Sequence, residues 1–470
     1  MEECDLLVLG SGTGGKILAG TFAQKGQRVI VIERKYVTGS CPNIACLPSK
    51  NIIHSAKVAS FFYRSNEFGI SKENVRINMA AVRERKRKMV VKIVDSFRDH
   101  YFTKSGAELV MGTGCFVGPK TIEVALNDGG TRTFRGKNVA VNTGSRATLE
   151  AIPGLAEAKP LTHIEAFELD HIPKHLLVLG AGYVGLELAQ AFRRFGAEVT
   201  LIDRNGRLAH HEDEDASQAL EEMCRDEGIT VVTNAKITRV EGNSGDWIRP
   251  LGSRDGADLS LKGTHLLVAA GRTPNTSGIG LEKAGVETTD RGYVKVNERL
   301  QTTAEGVWAI GDCAGSPQFT HISTDDFRVV SDNIAGGNRV TTGRQVPFCM
   351  FTDLELARIG LSETEAKRRG IPYRVAKLPV AAVLRAMTIS ETRGFMKVLI
   401  EAESDRILGF TMFGAGAGDV MAVVQMAMLG GVPYTAIRDA VIAHPTMPEG
   451  LILLFGNVPS ISAHAAKRAS

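Results

Sequence analysis

Two stretches of this chain, far apart in sequence, are built on one pattern. Leu6-Leu7-Val8-Leu9 runs into GSGTGG, then a helical stretch from Lys16 to Lys25, then Val29-Ile30-Val31-Ile32. Leu176-Leu177-Val178-Leu179 runs into GAGYVG, a helical stretch to Phe195, then Val199-Thr200-Leu201-Ile202. Gly10, Gly12 and Gly15 recur as Gly180, Gly182 and Gly185, each 170 positions on, and Glu33 recurs as Asp203 at the same offset. Strand, glycine turn, helix and strand make a βαβ unit, so the chain is constrained to hold two of them. In such a turn the first glycine permits the tight bend. The second lets backbone amides reach a pyrophosphate at the helix N-terminus, and the third lets helix and strand pack closely. Glu33 and Asp203 each lie 18 residues past the third glycine, the place of a carboxylate that binds ribose hydroxyls. One GxGxxG is a weak signal; two in the same context predict two dinucleotides bound together.

The rest of the composition agrees with a multidomain globular protein. A length of 470 residues predicts roughly three domains, and 43% hydrophobic with 23% charged residues gives ample core and no sign of disorder. A formal charge of +4 is too small for a nucleic-acid surface. The basic run Arg83-Glu84-Arg85-Lys86-Arg87-Lys88 therefore reads as a solvated helix face. Val420 to Leu429 is apolar but broken by Gln425 and too short to span a bilayer, so no membrane association is expected. The opening Met1-Glu2-Glu3-Cys4-Asp5 lacks the basic start of a secretory leader, and a cytoplasmic location is expected. From about Val346 onward, strands (Phe395 to Ile400, Leu408 to Phe413) mix with helical patterns (Glu363 to Arg369, Asp419 to Leu429), as in a separate α+β domain. The small polar run Ser460 to Ser470 is expected to fray.

Seven cysteines make an odd count for a disulfide framework, and Cys4, Cys115, Cys224, Cys313 and Cys349 stand far apart, as small core residues do. Cys41 and Cys46 are the close pair. Leu47-Pro48-Ser49-Lys50 opens a helix after them, which sets Cys46 at the positive end of the dipole. That end lowers a thiol pKa by at most ~1.5 units, enough to poise Cys46 but not to make it a strong thiolate. Zinc would need a second Cys or His pair, so no metal site is expected, and a merely structural thiol pair stays open as an alternative. Near the end, His444 precedes Glu449 by five residues, a pairing suited to moving a proton near neutral pH.

In this order the motifs resemble the FAD-dependent pyridine nucleotide-disulfide oxidoreductases, the class of glutathione reductase, dihydrolipoyl dehydrogenase and mercuric reductase. Besides the two fingerprints they include Cys41 to Cys46 with Pro48-Ser49-Lys50, Ala269 to Asn275, Ile310-Gly311-Asp312, Phe351-Thr352-Asp353 and His444 to Glu449. The resemblance implies an α/β fold with two Rossmann-like dinucleotide-binding domains and a C-terminal α+β dimerisation domain. It implies FAD-binding parts at 1–150 and 276–345, an NAD(P)-binding domain at 151–275 and a dimerisation domain at 346–470. Cys41 matches the interchange thiol and Cys46 the thiol facing the flavin; Lys50 lies by the flavin paired with Glu187, Asp312 holds the ribitol, and Tyr183 covers the nicotinamide pocket. Ser40, Gly114, Thr143, Gly144 and Gly311 fall in the FAD-binding set, and Arg204 and Gly271 join Gly180, Gly182, Gly185 and Asp203 in the cofactor-binding set. His444 and Glu449 would reach the disulfide of the other subunit of a homodimer. The implied activity is NAD(P)H-dependent reduction of a small-molecule or protein disulfide through FAD, or the reverse dithiol oxidation.

Departures narrow the match. The family's Gly-Gly-Thr-Cys reads Thr38-Gly39-Ser40-Cys41, and the glycine before the second cysteine is Ala45. Leu384 to Met387, Thr392 to Phe395 and Thr446 to Leu451 look closest to mercuric reductases, yet those carry a terminal cysteine pair and a tyrosine where His444 stands. Reduction of a metal ion at Cys41 and Cys46 is thus the rival within the class, and a flavin-bound scaffold with an inert pair the rival outside it. A carboxylate at Asp203 favours NADH over NADPH, while Arg204 and Arg207 beside it keep NADPH open.

Overall fold

The structure is a computed structural model that describes residues 1–462. Most of the tail expected to fray lies outside the described residues. Both βαβ units are present. Glu2–Leu9 pairs in parallel with Val29–Glu33 on one side and Thr131–Val141 on the other, and Val307–Ala309 adds beyond the latter. Glu108–Gly118 joins outside Val29–Glu33, and Thr121–Leu126 connects it back to Thr131–Val141 in antiparallel fashion. The second parallel sheet runs His265–Val268, His175–Leu179, Glu198–Ile202, Thr230–Val232. Strands central to these sheets are apolar on both faces, and Leu6, Leu7, Val8, Leu176, Leu177 and Val178 are fully buried. A separate antiparallel meander, Ala235–Asn243, Trp247–Arg254 and Ala257–Ser260, extends the second unit.

The C-terminal part is a five-stranded antiparallel sheet, ordered Phe348–Met350, Glu355–Gly360, Ile407–Gly414, Phe395–Glu401, Tyr373–Pro379. The Ala417–Leu429 helix packs Val420, Val424 and Ala427 onto it and leaves Val423, Met426 and Leu429 exposed. One core ties the three parts together. Ile52, Ala56 and Ala59 of the Cys46–Tyr63 helix meet Leu186, Ala189 and Phe192 of the Tyr183–Phe195 helix, and Met350, Leu354 and Phe413 of the C-terminal part close the cluster.

The basic run on the Met79–Arg98 helix is largely the solvated face that the sequence suggests, with Glu84, Arg85, Arg87 and Lys88 exposed, but Lys86 departs from it. Lys86 is buried on Glu168, Arg87 pairs with the same carboxylate, and Arg83 pairs with Asp170 at 3.1 Å. The acids that neutralise it come from more than 80 residues away.

Candidate functional site

The first glycine turn is built as its spacing requires. Gly10 has φ +101°, a conformation glycine alone adopts freely, and a Cβ on Gly12 would meet Asn142 Oδ1 at 2.6 Å. Asn142 holds the turn by accepting from Gly15 N at 2.9 Å and donating to Ile310 O at 2.9 Å. Glu33 closes it: one carboxylate oxygen accepts from Ser11 N and Oγ at 3.0 and 2.7 Å, the other from Lys35 N and Tyr36 N. Asp312 accepts from Ser145 Oγ, itself held by Arg272 Nε at 2.7 Å. Gly311, at φ +73°, donates its N–H to buried Asp326. Thr143 O and Gly144 O accept from the side chain and backbone of Asn275, and Gly114 packs without a side chain against Leu9 and Ile122. The buried Thr38 Oγ1, next to this turn, has no partner among the described residues. A tight glycine turn with an acid at its edge and an orphaned buried hydroxyl beside it fits a dinucleotide such as FAD.

The second turn repeats the construction, with Gly180 at φ +106° and the Gly182 position open toward space where a side chain would stand. Asp203 is buried: Oδ2 accepts from Ala181 N at 2.6 Å and Oδ1 from Asn205 N and Nδ2 at 2.8 and 2.7 Å. Arg207 donates to the carbonyls of His210 and Glu212, and exposed Arg204 pairs with Glu150 at 3.1 Å. Tyr183 at the helix start donates to Glu212 at 2.8 Å and stacks on Phe348, ring centroids 5.3 Å apart. Glu212 is buried and also accepts from Arg358 at 3.1 Å. Gly271, at φ +131°, follows the edge strand of the second sheet.

The cysteines sit where the two units meet. Ser40–Ile44 is a short helix, and the Cys46–Tyr63 helix follows it directly, so Cys46 occupies a helix N-terminus as expected. Ser40 is exposed at the start of the first. Gly39 makes the approach possible, because its Cβ would lie 2.6 Å from Gly12 Cα. Thr38, where the family has glycine, holds φ +71°, a strained conformation for a β-branched residue. Ala45 has negative φ (−130°) and needs no glycine.

Cys41 and Cys46 stand as free thiols in hydrogen-bond contact. The hydrogen bond from Cys41, with smaller help from Thr320 and Lys50, lowers the Cys46 thiol against the cost of burial. The same contact, with burial, pushes the Cys41 thiol up. Cys46 Sγ lies 3.3 Å from Thr320 Oγ1, and Lys50 Nζ lies 2.8 Å from Glu187 Oε2. Glu187 is buried and also accepts from Phe351 N at 2.8 Å.

His444 and Glu449 pair, Nδ1 to Oε1 at 3.0 Å, with the imidazole largely exposed. Of the other cysteines, Cys4, Cys224 and Cys313 are core residues as expected, while Cys115 and Cys349 are only half-buried. Among the described residues no His, Cys, Asp or Glu group of three has metal-binding geometry, and no helix is long and apolar enough to cross a membrane. Sequence reading missed Thr320, Asn142 and Glu212, each brought in from a distant segment with no local motif.

Residues 4–326 match the pyridine nucleotide-disulphide oxidoreductase family and residues 346–453 that family's dimerisation domain. The probable pyridine nucleotide-disulfide oxidoreductase RclA of Escherichia coli is 32% identical over 97% of this chain and all of its own length. A mercuric reductase of Streptomyces lividans is 34% identical over 96% of this chain and 95% of its own, and a dihydrolipoyl dehydrogenase of Geobacillus stearothermophilus 32% over 95% and 94%. The structure of the HOCl-induced flavoprotein disulfide reductase RclA from E. coli, in complex with Cu(II), matches with a TM-score of 0.89 at 30% identity, covering 98% of this chain and all of that one. The chain belongs to the pyridine nucleotide-disulphide oxidoreductase family and is a flavoprotein oxidoreductase of the class that works with FAD and NAD(P)H.

Proposed function

We propose that the chain is a homodimeric, NADH-preferring disulfide reductase whose redox centre is Cys41 and Cys46. The observation that carries this reading is the placement of Cys46 at a helix N-terminus, its Sγ 3.3 Å from Thr320 Oγ1 and one turn from the Lys50–Glu187 pair. FAD on the first unit supplies the exchange between a nicotinamide hydride and the electron pair of a dithiol. Gly10 to Gly15, Glu33, Ser40, Thr143 and Asp312 would hold it, and the second glycine turn with Asp203 would hold the nicotinamide dinucleotide. In the reduced pair, the Cys41 thiolate attacks one sulfur of a substrate disulfide, forming a mixed disulfide and expelling a thiolate. His444 of the other subunit, oriented by Glu449, takes the proton of the Cys41 thiol before this attack and gives it to that leaving group. The Cys46 thiolate then attacks Cys41 Sγ, expels the second substrate thiolate, which takes a proton from solvent, and restores the Cys41–Cys46 disulfide.

The homodimer is supported by the dimerisation-domain match and by the exposed apolar residues Val423, Met426, Leu429 and Val441. The exposed His444 has no target among the thiols of its own subunit that any contact supplies. Domain limits of 1–150, 151–275, 276–345 and 346–470 fit the sheets, since Val307–Ala309 returns to the first one. NADH is favoured because Arg207 is committed to backbone carbonyls and Asp203 would repel a 2′-phosphate. Five lone cysteines left as thiols suit a reducing compartment, the cytoplasm.

A second reading is reduction of a metal ion at the same two thiols, which the Cu(II) complex of RclA favours. The test is NADH oxidation by the holoenzyme with disulfides or Cu(II), in wild type and His444→Ala. Loss of disulfide turnover alone supports the proton-carrier role. Metal turnover with no disulfide turnover in wild type supports the second reading.

A further inference from the structure

Lys16 is a charged side chain in the wrong kind of place. It follows the third glycine of the first turn, is 3% exposed, and no carboxylate pairs with it among the described residues. Its ammonium donates to Thr38 O at 3.1 Å and lies over the Phe97 ring, 4.3 Å from the centroid, with Tyr101 at 5.7 Å. Burying an ammonium on one carbonyl and two ring faces is costly, and a leucine would fill the space without that penalty. What the position offers is a hold on the turn that leads into Cys41. The Thr38 carbonyl that holds the ammonium lies three residues before Cys41, in a turn pressed onto Gly12. The Lys16 charge draws the Cys41 thiol down, against the larger upward push of Cys46 and of burial.

We propose that Lys16 is a positioning residue for thiol exchange, a fixed buried charge that stabilises the Cys41 thiolate. This rests on reading Cys41 as the interchange thiol. The two cysteines are then served by different lysines, Cys46 by Lys50 from its own helix and Cys41 by Lys16 from the first glycine turn. Exchange needs a thiolate at each sulfur in turn, and a single cation at one sulfur would leave the other protonated.

Burial lowers the Lys16 ammonium to about 8, so its support is present below that pH and fades above it. The other groups near this region are Cys46 beside Cys41, the Tyr101 phenol with His100 against its ring, and Glu33, linked to Thr38 N through Ser11 Oγ and committed to Ser11, Lys35 and Tyr36. Among the described residues no carboxylate contacts Lys16.

The test uses the FAD-loaded enzyme, reduced under argon and pulsed with iodoacetamide from pH 5 to 10, with the label at Cys41 and Cys46 measured by peptide mass spectrometry. The variants are Lys16→Met, Lys16→Gln, which keeps a donor to Thr38 O, and Lys16→Arg. The expected result is Cys41 labelling about tenfold slower at pH 7 in the Met and Gln variants, an unmoved Cys46 profile, and rescue by Arg. If Lys16→Met does not fold, the Gln and Arg pair decides. Unchanged Cys41 labelling in the neutral variants, or equal slowing of both cysteines in all three, overturns the proposal while the interchange reading stands. Wild-type enzyme labelled at Cys46 in place of Cys41 overturns that reading, and the proposal with it.

Discussion

Lys50 Nζ sits 2.8 Å from Glu187 Oε2, joining the helix that begins at Cys46 to the helix that begins at Tyr183. The pair bridges the two dinucleotide units one helical turn beyond Cys46. Its two charges act on Cys46 with opposite signs, Lys50 lowering the thiol pKa and Glu187 raising it.

Replacing either member should therefore move Cys46 in opposite directions. Lys50→Met is expected to raise the pH at which the thiolate forms by about one unit, and Glu187→Gln to lower it. The check is the pH dependence of thiolate absorbance in the reduced holoenzyme. Shifts of the same sign in both variants would mean that structural loosening, not charge, governs Cys46.

Complementation tests whether His444 serves the other subunit. Cys41→Ser and His444→Ala homodimers are each expected to lose disulfide turnover by about a hundredfold or more. Mixed and reassembled, they form hybrids in which one site has an intact cysteine pair and an intact His444, and activity should return. Failure to recover any turnover from verified hybrids would place the proton carrier within the same subunit.

Coenzyme choice follows from Asp203. Asp203→Ala should lower kcat/KM for NADH by about tenfold, through loss of a charge-assisted hydrogen bond, and narrow the gap to NADPH. Because Asp203 also accepts from Ala181 N, a thermal melt must accompany the kinetics. An unchanged NADH to NADPH ratio would remove Asp203 from the specificity set.

Acid stability has a specific source at the seam with the C-terminal sheet. Lys397 is 2% exposed and pairs with Asp213 and Asp215 at 2.8 Å. Despite burial, the Lys397 ammonium and the Thr364 and Glu363 amides hold the Asp213 carboxyl well below the usual range. A depressed carboxylate contributes its stability in full above its unfolded value of about 4 and loses it as pH falls toward the folded value. Lys397→Met leaves Asp213 without a cation, while Lys377 still pairs with Asp215 at 2.8 Å, and should cost about 3–5 kcal/mol at pH 7, with a smaller loss below pH 4 where the carboxylates protonate. A Tm deficit that does not shrink on acidification would contradict this.

The glycine turns, their acids and the cysteine pair could be read from sequence because each is a local motif, with the constraint carried by residues a few positions apart. Thr320 is 274 residues from the thiol it touches, and nothing in Thr320-His321-Ile322 announces a partner. The burial of Lys86 within the basic run at Arg83 to Lys88 is hidden from the sequence for the same reason, since Glu168 reaches it only through tertiary packing. Lys16 is visible in the sequence, but its burial is not: a lysine on an amphipathic helix ordinarily reaches solvent. Asp203 was placed correctly at a strand end, yet its engagement with Ala181 and Asn205 depends on the folded turn.

The central claim is that Cys46 is a thiolate against the flavin once the pair is reduced. Anaerobic titration of the holoenzyme with NADH, and separately NADPH, reads it directly through the long-wavelength thiolate-to-flavin band. The account predicts a band that grows with two-electron reduction, appears with NADH at lower concentration than with NADPH, and is present in Cys41→Ser without prior reduction. A flavin that bleaches with no band in either protein would contradict it.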